Sequence, residues 1–381
     1  MIYFDNSATT AIYPEALRTY TDVATKMMGN PSSLHNLGTT ATRLLDASRR
    51  QIAELLGVGQ GEIFFTSGGT EGDNWVLKGV AFEKRIYGNH IIVSSIEHPA
   101  VKNTAEWLTT QGFEVDFAPV TAEGFVDVPA LAGLIRDETI LVSVMAVNNE
   151  IGSIQPLREI AELLADKPTI GFHVDAVQGL NKIPNADFML PRVDFTTFSA
   201  HKFHGPRGVG FVYIKSGKRL APLLHGGGQE NNRRSTTENL AGIAATAKAL
   251  RLALTDFDVK IERVRQMKEI IFNELKKHER VILFSEMENF APNILTFGIR
   301  GVRGEVVVHA FERHEIYIST TSACSSKKNA AASTLVAMNV HGDAATSAVR
   351  ISLDASNTMT EIESFLTIFR QIYAELEKVS H

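Results

Sequence analysis

A chain of 381 residues gives length for two or three domains at roughly 150 residues each, and 44% hydrophobic with 21% charged residues is the composition of an ordinary globular protein. The net charge of −5 argues against a nucleic-acid or anionic-membrane surface, and no apolar run approaches the roughly 20 residues needed to cross a bilayer. A single cysteine, Cys324, excludes an internal disulfide and any Cys-x-x-Cys zinc or redox site. Met1 to Asp5 has no basic n-region or long apolar run, so no signal peptide is expected, and a cytosolic enzyme or binding protein is.

In chain order, Tyr3 to Thr10 is a short polar opening that reads as an N-terminal loop. Gly29 to Gly38 is turn-rich and predicts a surface or cleft loop between helices. A helix follows, with Leu44, Ser48, Ile52 and Leu55 on one face and a stop at Gly57. From Glu62 the chain alternates. Strands are predicted at 63–65, 90–95, 115–118, 140–147, 169–174, 193–198 and 209–214. Helices are predicted at 71–85, 99–110, 129–135 and 157–164. That alternation means crossover units and a mostly parallel sheet covered on both faces, an α/β fold.

A long helix ends near Leu254, and the pattern then changes. Helices at 259–277 and 305–312, strands at 281–284, 293–298, 316–319 and 348–353, and a last helix carrying Ile362, Phe365, Leu366, Phe369, Ile372, Tyr373 and Leu376 read as a smaller α+β domain beginning near residue 255. No internal repeat or low-complexity segment interrupts the chain.

In open α/β sheets the ligand lies outside the carboxyl ends of the strands. The residues there are Ser67, Gly68, Gly69 and Thr70; Glu97 and His98; Asn148, Asn149 and Glu150; Asp175 and Gln178; Ser199, His201 and Lys202. Each alone fits a cap, a turn or a satisfied core group. Five polar strand ends in succession point to one site. Lys202 lies between two apolar strands, where an ammonium without a partner is costly and a desolvated amine can form a Schiff base. A solvated lysine on a hairpin turn fits the same residues.

If Lys202 carries pyridoxal phosphate, the other strand ends supply what that cofactor needs. Asp175 is the natural partner of the ring nitrogen, and His98 could stack on the ring and move protons. Gly68, Gly69 and Thr70 before a helix suit a phosphate, with Ser199 and His201 as further donors. Gln178 could reach the phenolic oxygen, and Asn149 the same oxygen or a substrate carboxylate. Arg350, opposite Val349 and Ile351 in its strand, suits bidentate capture of a carboxylate or a structural salt bridge. Cys324 sits in a polar, small-residue loop where Lys327 and Lys328 favour the thiolate; an incidental loop cysteine is the alternative. No metal site is expected.

The ordered set Tyr3-Phe-Asp-Asn-Ser-Ala-Thr-Thr10, Gly29-Asn-Pro-Ser-Ser33, Phe65-Thr-Ser-Gly-Gly-Thr-Glu71, Glu97-His98, Asn148-Asn-Glu-Ile-Gly152, His173-Val-Asp-Ala-Val-Gln178, Ser199-Ala-His-Lys202, Arg234-Ser235 with Thr237, Ser322-Ala-Cys324 and Arg350-Ile-Ser352 resembles the cysteine desulfurases. These belong to the fold-type I pyridoxal-phosphate, class V aminotransferase-like superfamily. The resemblance spans nearly the whole chain. It implies a large domain with a mostly parallel seven-stranded sheet, residues 14–254, and a small domain of residues 1–13 and 255–381, which moves the N-terminus across the boundary read from pattern alone.

It further implies that Lys202 holds the cofactor, Asp175 meets the ring nitrogen, Gln178 the phenolic oxygen, and His98 the ring face. Gly69, Thr70, Ser199, His201 and Thr237, the last from the partner of a homodimer, would hold the phosphate. Asn149 and Arg350 would take the carboxylate of L-cysteine. Cys324 would take the sulfur as a persulfide and pass it to an acceptor protein, for iron–sulfur clusters, tRNA thiolation or a thio-cofactor, in the cytoplasm and without direct contact to nucleic acid or membrane. A selenocysteine lyase, another aminotransferase-like enzyme or a non-catalytic scaffold would share most of these residues. Two stretches depart from the family pattern: Arg234-Ser-Thr-Thr237, where many relatives read Arg-Ser-Gly-Thr, and Asn329 to Ser333, where many carry a Leu-Glu-Pro-Ser-like segment.

Overall fold

The structure, a computed structural model, describes residues 1–321 and 333–379; Cys324, Lys327, Lys328 and residues 329–332 lie outside the described residues. The strands are β1 (Ile2–Tyr3), β2 (Ile63–Thr66), β3 (His90–Ser94), β4 (Glu114–Ala118), β5 (Thr139–Ser143), β6 (Gly171–Asp175), β7 (Phe195–Ser199), β8 (Gly210–Ile214), β9 (Val281–Leu283), β10 (Ile294–Ile299), β11 (Ile316–Tyr317), β12 (Ser319–Thr320) and β13 (Val349–Ser352). The first four α-helices are α1 (Pro14–Lys26), α2 (Asn36–Leu56), α3 (Gly69–Lys84) and α4 (Pro99–Thr109).

Seven strands form one sheet in the order β2-β8-β7-β6-β5-β3-β4. Only β8 runs antiparallel, to both neighbours, and the two reversals leave β2 pointing the same way as the five parallel strands. All the strand ends named above, Ser67 included, therefore open on one edge of the sheet. Strands β5 to β8 are buried along their whole length, as a sheet covered on both faces requires. Successive side chains alternate between two cores: Ile91, Val93, Leu141 and Phe195 pack with Trp75, Val76 and Val80 of α3, while Ile92, Val142, Val174 and Phe198 pack on the other face with Leu45 and Ile52 of α2. Each such side chain contributes about 1.5–3 kcal/mol by leaving water.

The antiparallel sheet β12-β13-β10-β9 is covered by the helices Phe257–Leu275 and Met359–Val379. Its core joins Val264, Met267, Ile271, Phe297, Phe311, Phe365 and Phe369, and takes in Phe4 from the other end of the chain. Beside it β1 pairs parallel with β11, and Asp5 bridges to Ser352.

Three local expectations change. The helix read from Leu44 begins at Asn36 because His35 caps it, its Nδ1 accepting from Gly38 N at 3.2 Å. Gly38 fits there because a Cβ would stand 2.1 Å from the Ser33 carbonyl oxygen. The single strand expected at 316–319 is two, in different sheets: β11 pairs with β1, and β12 pairs with β13. Helix α3 starts at Gly69 rather than Glu71, so its first free amides belong to the glycine loop itself.

Candidate active site

Lys202 closes the single 3₁₀ turn Ala200–Lys202 that follows β7. Its ammonium donates to the carbonyl oxygens of Ser7 and Ala8, at 2.5 and 2.9 Å. Asp175 ends the adjoining β6, paired in register with Thr197, and is 5% exposed. Its Oδ1 accepts from Val177 N at 2.9 Å. Three residues on, Gln178 donates from Nε2 to the same Ser7 carbonyl at 2.9 Å, while its Oε1 is buried without a partner among the described residues. His201 Nδ1 lies 3.2 Å from Thr9 Oγ1, and Thr10 donates N and Oγ1 to the His201 carbonyl. Ser7 to Thr10 thus pass directly along the Lys202 edge. The stretch that reads as a plain N-terminal loop is a wall of the site.

The glycine loop is built for close approach. A Cβ on Gly210 would stand 2.6 Å from the Phe198 carbonyl oxygen and 2.7 Å from Gly68 Cα. A Cβ on Gly69 would stand 2.9 Å from Val177 Cγ2 and 3.6 Å from Ser199 Cβ. These glycines let the start of α3 lie against Ser199 and the turn after Asp175, with its free amides at the positive end of the helix dipole. Glu71, one turn in, accepts from Ser67 N at 2.8 Å and from Arg234 Nε and Nη2 at 2.6 and 2.8 Å. That fork ties the Arg234 stretch to the loop. Thr70 is exposed and shares a shallow cleft with His98, Asn74 and Asn103. Thr237 is exposed in a second cleft with Thr66, Ser67 and Gly208.

His98 caps α4, its Nδ1 accepting from Ala100 N at 3.1 Å. Burial, and secondarily the Lys202 charge, pushes it down to about 4, so near neutrality the ring is uncharged with its proton on Nε2. His201 is likewise pushed down to about 4 by burial, with Lys202 and Arg207 adding to it.

At the other end of the edge, Arg350 lies in β13 opposite Thr296 and Ser319. Nη1 donates to the Asn149 carbonyl at 2.7 Å and Nη2 to Asp5 Oδ1 at 2.9 Å. Asn149 is half-buried. Its neighbours Asn148 and Glu150 face elsewhere: Asn148 Nδ2 donates to Thr334 Oγ1 at 3.0 Å, and a Glu150 carboxylate oxygen accepts from Thr334 N at 3.2 Å. They hold the start of the helix Ser333–Ala337.

Beneath Asp175 lies a cluster of buried ionisable groups. Burial raises Asp175 to about 6 and Glu97 to about 8, and raises Asp73 well above the carboxylate range. His173 is wholly buried and pushed down to about 3, its Nδ1 2.8 Å from Ser143 Oγ and its Nε2 3.0 Å from Thr197 Oγ1. Lys202 lowers Asp175, and Asp175 in turn raises Asp73 and Glu97. Asp175 is thus the carboxyl of the three nearest its ordinary range, and the one that the Lys202 cation steadies as an anion.

Sequence reasoning missed Asp5, the Ser7 and Ala8 carbonyls, and Asp73. Asp73 had a readable signal: it lies four residues after Gly69 on a face with Val76, Leu77 and Val80, all buried. The backbone carbonyls had none.

These residues fit pyridoxal phosphate. A buried carboxyl stands by an amine at neighbouring strand ends, a buried amide oxygen lacks a partner among the described residues, and Gly69 at a helix start and Gly210 in the adjoining strand clear the backbone there. Among the described residues no group of His, Cys, Asp and Glu is placed to hold a metal ion, and no helix is long and apolar enough to cross a membrane.

Residues 2–365 match the family described as Aminotransferase class-V. The chain is 54% identical to a NifS/IcsS protein homolog of Lactobacillus delbrueckii subsp. bulgaricus, covering 100% of this chain and 99% of that one. It is 38% identical to the cysteine desulfurase IscS of Clostridium botulinum, over 100% of this chain and 96% of the relative. A solved structure titled NifS-like protein superposes with a TM-score of 0.91 at 36% identity, covering 99% of each chain.

Proposed function

The chain belongs to the class-V aminotransferase family, and from its residues we infer that it is a cysteine desulfurase, converting L-cysteine to L-alanine and handing the sulfur on. The observation that carries this reading is the meeting of the Lys202 amine, the Asp175 carboxyl and the Gly69 helix start at adjoining strand ends.

Lys202 would hold pyridoxal phosphate, with Asp175 against the ring nitrogen, Gln178 at the phenolic oxygen and His98 over the ring. Gly69, Thr70, Ser199 and His201 would take the phosphate, completed by Thr237 of a second copy. When bound, the cofactor supplies an electron sink for the carbanion that forms at the substrate's α-carbon. Asp175 is suited to its place because an anion there keeps a ring nitrogen protonated, and burial shields that pair from water. Uncharged His98 can accept a proton on Nδ1 if the Ala100 amide releases it, or donate one from Nε2.

Arg350 would take the substrate's carboxylate through N–H groups not already engaged, with Asn149 beside it. The Cys324 thiolate would attack the substrate sulfur: the new S–S bond forms as the C–S bond breaks, leaving a persulfide on Cys324 and, after protonation of the carbon, alanine. An acceptor protein would then receive the terminal sulfur.

A homodimer is supported by exposed apolar side chains around the loop from α1 to α2: Leu17, Met28, Leu34 and Leu37. We assign residues 14–254 to a large domain and 1–13 with 255–381 to a small one, and place the enzyme in the cytoplasm, where a lone reactive thiol stays reduced. The test is product analysis after reconstitution with pyridoxal phosphate: L-cysteine and a thiol reductant should yield alanine and sulfide in equal amounts. A keto acid in place of alanine, or turnover confined to selenocysteine, overturns the assignment.

A further inference from the structure

Two acceptors hold the Arg350 guanidinium, and one of them comes from the far end of the chain. Nη1 donates to the Asn149 carbonyl and Nη2 to Asp5 Oδ1, whereas Nε is buried and meets no acceptor among the described residues. Asp5 is fixed independently of this ion pair. Its backbone bridges to Ser352, its carbonyl accepts from Tyr3 Oη at 3.1 Å, and the Asn6 N–H next to it donates to the Ser352 carbonyl at 3.2 Å. The Asp5 backbone is therefore anchored against the strand that carries Arg350, and its carboxylate reaches the guanidinium from that fixed point.

We propose that Asp5 is a positioning residue for Arg350, fixing the plane of its guanidinium so that the Nη N–H groups not engaged with Asn149 and Asp5 meet the α-carboxylate of an amino-acid substrate. A planar guanidinium recognises a carboxylate only in a defined orientation, and an arginine side chain has many rotamers to choose from. With Asn149 alone the plane can swing about one hydrogen bond. With Asp5 added it is held at two points. Asp5 carries the same charge as the incoming group, but its side chain keeps 20% exposure and it takes only one hydrogen bond, from Nη2. Water screens its repulsion, so the orienting contact dominates. The inference rests on the reading of Arg350 as the carboxylate seat.

The experiment titrates the visible spectrum of the cofactor-loaded dimer with two amines. L-Alanine has the amine and the carboxylate; cysteamine has the amine and a thiol but no carboxylate. Asp5→Ala should weaken the alanine response about tenfold and leave the cysteamine response unchanged, as loss of one charge-assisted contact implies. Asp5→Asn, which keeps an acceptor oxygen in place, should show about a third of that loss on a logarithmic scale, and serves if the alanine variant fails to fold. In turnover the loss should fall on KM for cysteine rather than on kcat, and in an Arg350→Ala background Asp5→Ala should add nothing. Equal or tighter alanine binding in both Asp5 variants, or equal weakening for the two amines, overturns the proposal while leaving the function intact. A wild type that does not distinguish the two amines overturns the reading of Arg350 itself, and the proposal with it.

Discussion

Lys202 donates its ammonium to the carbonyl oxygen of Ser7, a residue 195 positions away in the chain. The contact fixes where the amine waits before it binds anything, and it brings the N-terminal segment to the strand edge where chemistry is expected. A carbonyl holds an amine through its protons alone, so it releases the nitrogen when a covalent bond forms there.

That arrangement makes the lysine the first test. Lys202→Ala, purified with added pyridoxal phosphate, should lose the visible absorbance of the wild type while keeping its far-ultraviolet circular dichroism. Borohydride reduction of the wild type followed by peptide mapping should place the pyridoxyl label on Lys202. A label elsewhere removes the basis of the proposed chemistry.

Cys324→Ser should separate cofactor binding from sulfur transfer. The hydroxyl cannot form a persulfide, so the variant should keep the wild-type colour and still bind cysteine, yet release no sulfide above background. Full sulfide release from this variant would require a different sulfur acceptor.

Glu97 sets a pH dependence of stability. Burial raises it from the ordinary 4.5 to about 8, so between those values the folded chain holds a proton that the unfolded chain has lost. Its stabilising effect is complete below about 4.5 and is lost as pH rises through about 8. His98, His173 and His201 act oppositely, since their lowered values make stability fall as pH drops below 6.5. Glu97→Gln, isosteric and uncharged, should therefore flatten the decline in Tm between about pH 6.5 and about pH 8 relative to wild type. An unchanged difference in Tm across that interval would show that Glu97 does not titrate there.

Glu230 tests the support of the glycine loop. Its side chain is 2% exposed, accepts both Arg49 Nη1 and Nη2 at 2.7 Å, and accepts Phe65 N at 2.9 Å. Glu230→Ala leaves the half-buried Arg49 guanidinium with the Ile63 carbonyl as its remaining acceptor and the Phe65 strand amide unpaired, and should cost about 2–3 kcal/mol in urea unfolding. A loss below about 1 kcal/mol would mean that the pair behaves as a solvated one.

Much of the fold was legible because its signals are local. Short apolar runs and period-3.6 helix faces predict all seven strands of the large sheet and most of its helices, since strands covered on both faces and one face of each helix must leave water. Helix starts were less legible: α2 begins eight residues before Leu44 because a histidine side chain caps it, and histidine is an uncommon cap. Ile318 reads as mid-strand, but the chain passes there from one sheet to another, a change that depends on which partners lie alongside.

For the site the division is just as physical. Lys202, Asp175, His98 and Gly69 stand at strand ends, and a crossover sheet brings such ends together whatever lies between them. Sequence alone therefore determined the chemical groups available on that edge and the class of cofactor they suit. The folded chain alone decided that Ser7 would receive Lys202 and Gln178, that Asp73 would sit beneath Asp175, and that Asp5 would meet Arg350 across 345 positions. Those pairings arise from parallel bridging of the first strand and from burial of Phe4 in a core built by the last third of the chain. No periodicity within either segment encodes them, because hydrogen bonds and ion pairs between distant segments leave no pattern in the residues around each end.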